Sequence, residues 1–338
     1  MSTVTISIIG TGLLGTSLGL ALKRIPNAPI TILGYDGESK HAADALHAHA
    51  IDRTFFNLPA TVETADLVVL AVPQTAILTV LETIAPVIKS GCVITDTAPF
   101  KAAALAWARQ HLPQERYYVA SRPVLNPAVL HSGHTGPTAA RADLYDRSLW
   151  AITPDPALPP AAVKLVADVA RLAGSKPFFV DAAEHDDLIA VTDALPTALA
   201  ALLVRTASAQ PEWSEARKLA GRTFATASVA TTFSDPAAQA ALLLGQSPAL
   251  IAALNHARTE LDALITALTH HDRAALEALL SQAADERTRW FSQREDNDWS
   301  LEESFELQMP TSAERLNQVV GGKLLDDFMK GGAKPPGL

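Results

Sequence analysis

The sequence predicts an α/β protein: a doubly wound parallel sheet followed by an all-α C-terminal domain. Three observations predict it. Residues 1 to about 153 alternate short β-rich runs with helical stretches, the grammar of strands joined by crossover helices. The stretch TPDPALPP (153–160) then puts four prolines in eight residues, which precludes regular helix and suits a connector. From Ala182 onward the chain is rich in alanine and leucine with helical periodicity. The division expected is therefore a sheet domain over 1–155, a helical domain over 156–330 and a disordered tail, GGAKPPGL, over 331–338.

Each element has a local reason. Val4–Ile9, Ile30–Tyr35, Leu67–Val72, Val93–Asp96, Tyr118–Ala120 and Trp150–Thr153 are short and mostly apolar, as strands covered on both faces are. Leu13–Arg24, Ser39–Ala50, Thr75–Lys89 and Phe100–His111 lie between them and read as helices. A helix over Ala161–Ala173 and a strand over 176–180 (KPFFV) follow the connector. The last helices expected are Glu184–Ala209, Glu212–Thr226, Pro236–Leu244, Ser247–Leu268 and Arg273–Arg294. Such apolar helices either pack on one another or bury a face against a second subunit.

Composition bounds the partners. Hydrophobic residues make up 48% of the 338 and charged residues 19%, ample for a core. A formal net charge of −9 argues against nucleic acid or an anionic membrane surface as the main partner. A single cysteine, Cys92, excludes an internal disulfide and fits a reducing compartment; within GCVITD it reads as a buried strand position. The N-terminus has no basic leader and runs straight into a strand. No apolar run approaches the ~20 residues that span a bilayer, so the expectation is a cytoplasmic protein. Of His41, His47 and His49, the first two are six apart and so fall on different faces of a helix, and no metal site is expected.

VTISIIGTGLLGTSLGLALKR contains Gly10-x-Gly12-x-x-Gly15 directly after a strand and opening a helix. Gly10 permits the tight turn, Gly12 lets the backbone approach a pyrophosphate, and Gly15 lets helix and strand pack closely. The N–H groups of the first helical turn, at Leu13 and Leu14, face the phosphates. An acid follows at the end of the second strand: Asp36, 21 positions past Gly15. A carboxylate there accepts from ribose hydroxyls and repels a 2′-phosphate, which favours NAD over NADP. This is the Rossmann pattern. Ala71-Val72-Pro73 and Asp96, at the ends of later strands, complete the expected cofactor contacts.

IIGTGLLGTSLGLALK, ILGYD, LAVP, TDTAPFK, YVASRPVLNP, WAITPDP and DAAEHDDLIAVTDALPTALA, in this order, resemble the prephenate/arogenate dehydrogenase family over roughly residues 4–250. The resemblance implies an NAD-binding Rossmann domain and a helical domain that forms a homodimer. It implies oxidative decarboxylation of prephenate or arogenate on the route to tyrosine. Hydride passes to NAD(P), a histidine takes the hydroxyl proton, and carbon dioxide leaves as the ring becomes aromatic.

The chain departs from that pattern at the chemistry. The family's histidine before proline is here Arg122-Pro123, and an arginine does not serve as a base near neutral pH. The family's serine in Asp-x-Gly-Ser-x-Lys is Pro99, although Asp96 and Lys101 remain. Ser-His-Leu-Pro-His becomes Asp193-Ala194-Leu195-Pro196-Thr197, and Arg222 does not fall close to Ser234-Asp235-Pro236 where the substrate arginine belongs. The candidate catalytic residues are therefore Arg122, Lys101 and Asp193. Arg122 either grips a carboxylate, as its planar fork does well, or makes a structural ion pair. Asp193 is a candidate base if it faces the cleft, as are His131 and His134. His185 matches the family's His-Asp and is expected to order the domain junction. Three readings stay open: the family reaction, the same fold and cofactor acting on another small carboxylate, and a catalytically silent dinucleotide-binding protein.

Overall fold

The computed structural model describes residues 3–130, 136–297 and 299. His131, His134 and the tail at 331–338 lie outside the described residues. Eight strands form one sheet: β1 (Val4–Ile9), β2 (Ile30–Tyr35), β3 (Arg53–Thr54), β4 (Leu67–Leu70), β5 (Val93–Asp96), β6 (Tyr117–Pro123), β7 (Ser148–Thr153) and β8 (Ser175–Phe179). Their order is β3-β2-β1-β4-β5-β6-β7-β8. Strands β1 to β6 run parallel, β7 is antiparallel to β6, and β8 is parallel to β7. The order reverses between β1 and β4, and the crevice at such a switch point is where doubly wound sheets bind ligands.

Helices α1 (Leu13–Lys23), α2 (Ser39–His47), α3 (Leu58–Val62), α4 (Ile77–Ile84), α5 (Ala102–His111) and α6 (Pro160–Leu172) cover the sheet. The period of two along each strand sorts side chains into two cores. Ile6, Ile8, Val69, Val93 and Val119 join one with α1 and α6. Ile9, Val68, Leu70, Ile94 and Tyr118 join the other with α4 and α5. Burial on both faces is why these strands read as nearly unbroken apolar runs.

The boundary expected at 155/156 is corrected. Beyond the proline-rich connector, β8 pairs with β7 from Ser148↔Ser175 to Ile152↔Phe179, and α6 packs into the sheet core through Val163, Val166 and Val169. The sheet domain thus continues to Phe179. The prolines shape a loop inside it, with Pro160 opening α6 where a missing N–H costs nothing.

The helical domain comprises α7 (Ala182–Ile189), a π turn (Ala190–Ala194), α8 (Leu195–Ser208), α9 (Trp213–Leu219), α10 (Arg222–Ser228), α11 (Pro236–Gly245), α12 (Ser247–Thr269) and α13 (Arg273–Asp296). The single helix expected over 184–209 is interrupted by the π turn. Pro196 has no N–H to give, and its ring crowds the carbonyl four residues back; widening the helix at 190–194 relieves both. The helix expected over 212–226 breaks at Ala220, where ψ is 113°. Together 182–208 form a 27-residue helix apolar and long enough, by length and composition, to cross a membrane. That departs from the expectation of no such run. One face of this helix packs Ala190, Ala194 and Leu195 against Leu250 and Leu254 of α12. Val191, Leu199, Leu202 and Leu203 of the same helix are exposed.

Candidate active site

The glycine loop sits at the carboxyl end of β1. Gly10 has φ +94°, and a Cβ there would collide with the Ala71 carbonyl. A Cβ at Gly15 would fall on the Gly10 carbonyl and the Ile8 side chain. These two glycines are therefore demanded by the protein's own packing. Gly12 is different: a Cβ there meets nothing within 4 Å. The open space in front of Gly12 is what a pyrophosphate needs. Beside it, the N–H groups of Leu13, Leu14 and Gly15 precede the first intrahelical bond of α1, Thr16 N–H to the Gly12 carbonyl (3.1 Å).

Asp36 ends next to this loop. Its Oδ2 accepts from the Thr11 backbone N–H at 2.7 Å and its Oδ1 from the Glu38 N–H at 2.9 Å. The carboxylate thus braces the glycine loop at the site expected to meet the adenosine ribose. Ala71, Val72 and Pro73 follow β4 and are partly exposed or exposed on the same edge. The residues present fit a dinucleotide.

Farther along the edge, two expected contacts are corrected. Asp96 is 1% exposed and Lys101 fully buried. Lys101 Nζ donates to Asp96 Oδ1 (2.5 Å), the Ala98 carbonyl (2.5 Å) and the Ser121 carbonyl (2.6 Å). An ammonium has three protons, so none is left for a substrate. Asp96 also accepts from the Ala98 N–H at 2.8 Å and the Tyr118 hydroxyl at 2.5 Å, leaving it no route to the cofactor. Burial pushes the Lys101 ammonium down and the Tyr118 phenol well up; Asp96 opposes the first and reinforces the second. The pair is a buried brace that fixes the end of β6. A sequence cannot distinguish such a lysine from one facing the cleft.

β6 carries Arg122 past the sheet's parallel part. The last β5–β6 pair is Thr95↔Val119, and Arg122 pairs only with Ala151 of antiparallel β7. Ser121, which the sequence did not single out, anchors this extension. Its hydroxyl lies 2.8 Å from Thr95 Oγ1, donates to the Asp96 carbonyl at 3.0 Å and accepts from Trp150 Nε1 at 2.9 Å. Arg122 therefore projects from a rigid strand end toward the helical domain.

Two contacts join the domains there. Arg122 Nη2 donates to Asp193 Oδ2 on the π turn. Asp186, also missed from sequence, accepts from the backbone N–H of Lys101 (2.8 Å) and of Ala102 (3.0 Å). A carboxylate of α7 thus caps the N-terminus of α5, where the helix dipole favours negative charge. His185 Nδ1 lies 3.1 Å from the same Asp186 Oδ1. A third contact comes from the altered TDTAPFK loop: a Cβ at Gly245 would strike the Phe100 ring. Arg222 is exposed at the start of α10.

The nucleotide-binding domain of prephenate dehydrogenases matches residues 18–178, and their dimerization domain matches residues 181–282. The chain belongs to the prephenate dehydrogenase family. The two matched segments meet at the end of β8, where the sheet itself ends. A cyclohexadienyl dehydrogenase of Zymomonas mobilis is 30% identical over 272 residues, 79% of this chain and 89% of that protein. A prephenate dehydrogenase of Bacillus subtilis is 30% identical over 204 residues, 59% of this chain and 53% of its own. Among solved structures, prephenate dehydrogenase from A. aeolicus, in complex with hydroxyphenyl propionate and NAD+, superposes with TM-score 0.75 at 21% identity, over 86% of this chain and 99% of that one. Synechocystis arogenate dehydrogenase gives 0.67 at 24%, over 85% and 99%. At those identities the structures establish the fold. The family's nucleotide-binding domain and the Gly12–Asp36 geometry together make NAD the cofactor of this chain.

Proposed function

We propose that this chain oxidises a cyclohexadienyl carboxylic acid, prephenate or arogenate, with NAD, releasing carbon dioxide as the ring aromatises. The observation that carries the reading is the position of Arg122. It stands at the end of β6, beyond the sheet's parallel edge, where it meets the helical domain. Bound at the glycine loop, NAD supplies the hydride acceptor. The protein's part is to hold the donor carbon against it and to manage one proton, because aromatisation makes the step strongly downhill.

Arg122 takes the place of a base without being one. One arm of its fork is held by Asp193, so the carboxylate it grips here is the protein's own. The second arm, Nη1, is buried and has no hydrogen-bond partner among the described residues. A permanently charged donor held ready in this way suits an oxygen on which negative charge develops. Pro99 and Thr197 stand where the family pattern has a serine and a histidine, which supports a second reading within the same chemistry, another small carboxylate-bearing alcohol. The exposed apolar face of α8 supports assembly as a homodimer.

The test is to mix purified protein with NAD and either prephenate or arogenate and follow NADH absorbance. Turnover with one of the two is expected. NAD binding without turnover of either, or of a panel of related acids, defeats the reading and leaves a dinucleotide-binding protein.

A further inference from the structure

Besides Arg294 Nη1, which lies where α13 meets Leu125, two nitrogens at the domain junction are buried without a hydrogen-bond partner among the described residues: Arg122 Nη1 and His185 Nε2. Their characters are complementary. The arginine nitrogen only donates. On the histidine, Nδ1 faces Asp186 Oδ1 at 3.1 Å. An ionised carboxylate only accepts, so the ring proton sits on Nδ1 and Nε2 presents a lone pair. The dyad is well fixed. His185 is 3% exposed, and Asp186 is held by two backbone N–H groups of the other domain.

Donor and lone pair belong to one charge cluster. Burial holds the imidazole below its ordinary range, with Asp186 opposing that and the Lys101 and Arg122 cations adding to it. Asp96 is neutralised by Lys101, and Asp193 is paired with Arg122. The ring is therefore neutral at physiological pH and ready to accept a proton. The π turn adds to the placement. Eight residues separate His185 from Asp193, which in uninterrupted α-helix is about 80° past two full turns. The wider turn at 190–194 takes up that excess, with Asp193 meeting Arg122 of β6 and the His185–Asp186 pair meeting the start of α5.

Resting on the reaction proposed above, we infer that Arg122 Nη1 and His185 Nε2 form a socket for the substrate's alcohol, with His185 as the base. A hydroxyl is the group that satisfies both atoms, since it accepts from the guanidinium and donates to the imidazole. A ketone or an ether satisfies only one. The O–H proton passes to Nε2, and the hydrogen on the same carbon would leave with its bonding pair as hydride, for which a nicotinamide held at the glycine loop would be the acceptor. The C–C bond to the departing carboxylate supplies the pair that closes the aromatic ring. The proton then returns to the phenolate oxygen. Asp186 steadies the imidazolium between these events, as the carboxylate does in other Asp–His pairs.

Calorimetry with NAD present, using 3-(4-hydroxyphenyl)propionate and 3-phenylpropionate, tests the socket. The unaltered protein is expected to bind the hydroxylated acid about tenfold more tightly or better. His185→Gln keeps an acceptor but takes no proton: it should keep that preference, lose about 10²–10⁴ in kcat, and lose the acid limb of the kcat–pH profile. His185→Phe should lose both preference and turnover. NAD affinity reports whether each variant is folded. If neither folds, the ¹⁵Nε2 resonance of His185 in the unaltered protein decides, since it must move on binding the phenol and not on binding the deoxy acid. Equal binding of the two acids, an unmoved resonance, or a folded His185→Gln with ordinary kcat and pH profile overturns the socket. Failure of the underlying reading looks different: the unaltered protein makes no NADH from prephenate or arogenate.

Discussion

Replacing Gly12 and Gly15 separately with alanine distinguishes a glycine kept for a ligand from one kept for the fold. At Gly12 the new methyl meets no protein atom within 4 Å, and φ is −70°, which any residue adopts. The cost to folding is then only the weaker helix cap that alanine makes, about 1 kcal/mol or less. The same methyl stands where a pyrophosphate must approach. Losing one charge-assisted N–H contact costs about 1.5–3 kcal/mol, so the Kd for NAD should rise about 10- to 150-fold. At Gly15 the methyl falls on the Gly10 carbonyl, and overpacking of that kind costs about 1–3 kcal/mol of stability or more. Thermal unfolding without ligand, and calorimetric titration with NAD, measure the two quantities. Gly12→Ala should lose affinity and keep its Tm, whereas Gly15→Ala should lose Tm first. Unchanged NAD affinity in Gly12→Ala would refute the assignment of that space to the cofactor.

Lys101→Met should destabilise the fold by about 3–5 kcal/mol in urea titrations, because it strands the Asp96 carboxylate without its buried counter-charge; a loss of turnover with undiminished stability would instead restore Lys101 as a substrate contact. Stability should fall on the acid side. His185 is held below its unfolded value of 6.5, so the unfolded chain binds more protons between the two values. Its contribution is complete above about pH 6.5 and lost as pH falls toward the lowered native value, and denaturation midpoints at successive pH values should show a smaller acid loss in His185→Gln. Burial pushes the Cys92 thiol up to about 12, so a thiol reagent near pH 8 should label the chain only after denaturant is added. Leu202 is 52% exposed on α8, so Leu202→Glu should leave monomer stability nearly unchanged while sedimentation shows dimers dissociating; intact dimers would place the interface on another face.

The sequence by itself determined what depends on a short window of chain. Strands β1, β2 and β5 fall where apolar runs place them. The glycine loop is legible because a turn, a close approach and a helix start each demand a residue type locally. Arg122 is visible as a departure because one side chain cannot do another's chemistry. The two-residue β3 and five-residue α3 were missed, being too short to carry a period. Tertiary structure decided the rest. Whether 175–179 continues the sheet depends on a neighbour 27 residues earlier. Whether Lys101 faces substrate or saturates Asp96 and Ser121 depends on β6 lying beside β5. That Arg122 finds Asp193, and Asp186 the start of α5, depends on contacts 71 and 85 residues apart in sequence. Periodicity is set by neighbours along the chain, whereas a side chain's partner is set by which distant surfaces the core brings together. For that reason the glycine loop and Asp36 stand out in the residues alone, whereas the burial of Asp96 and the contacts of Arg122 do not.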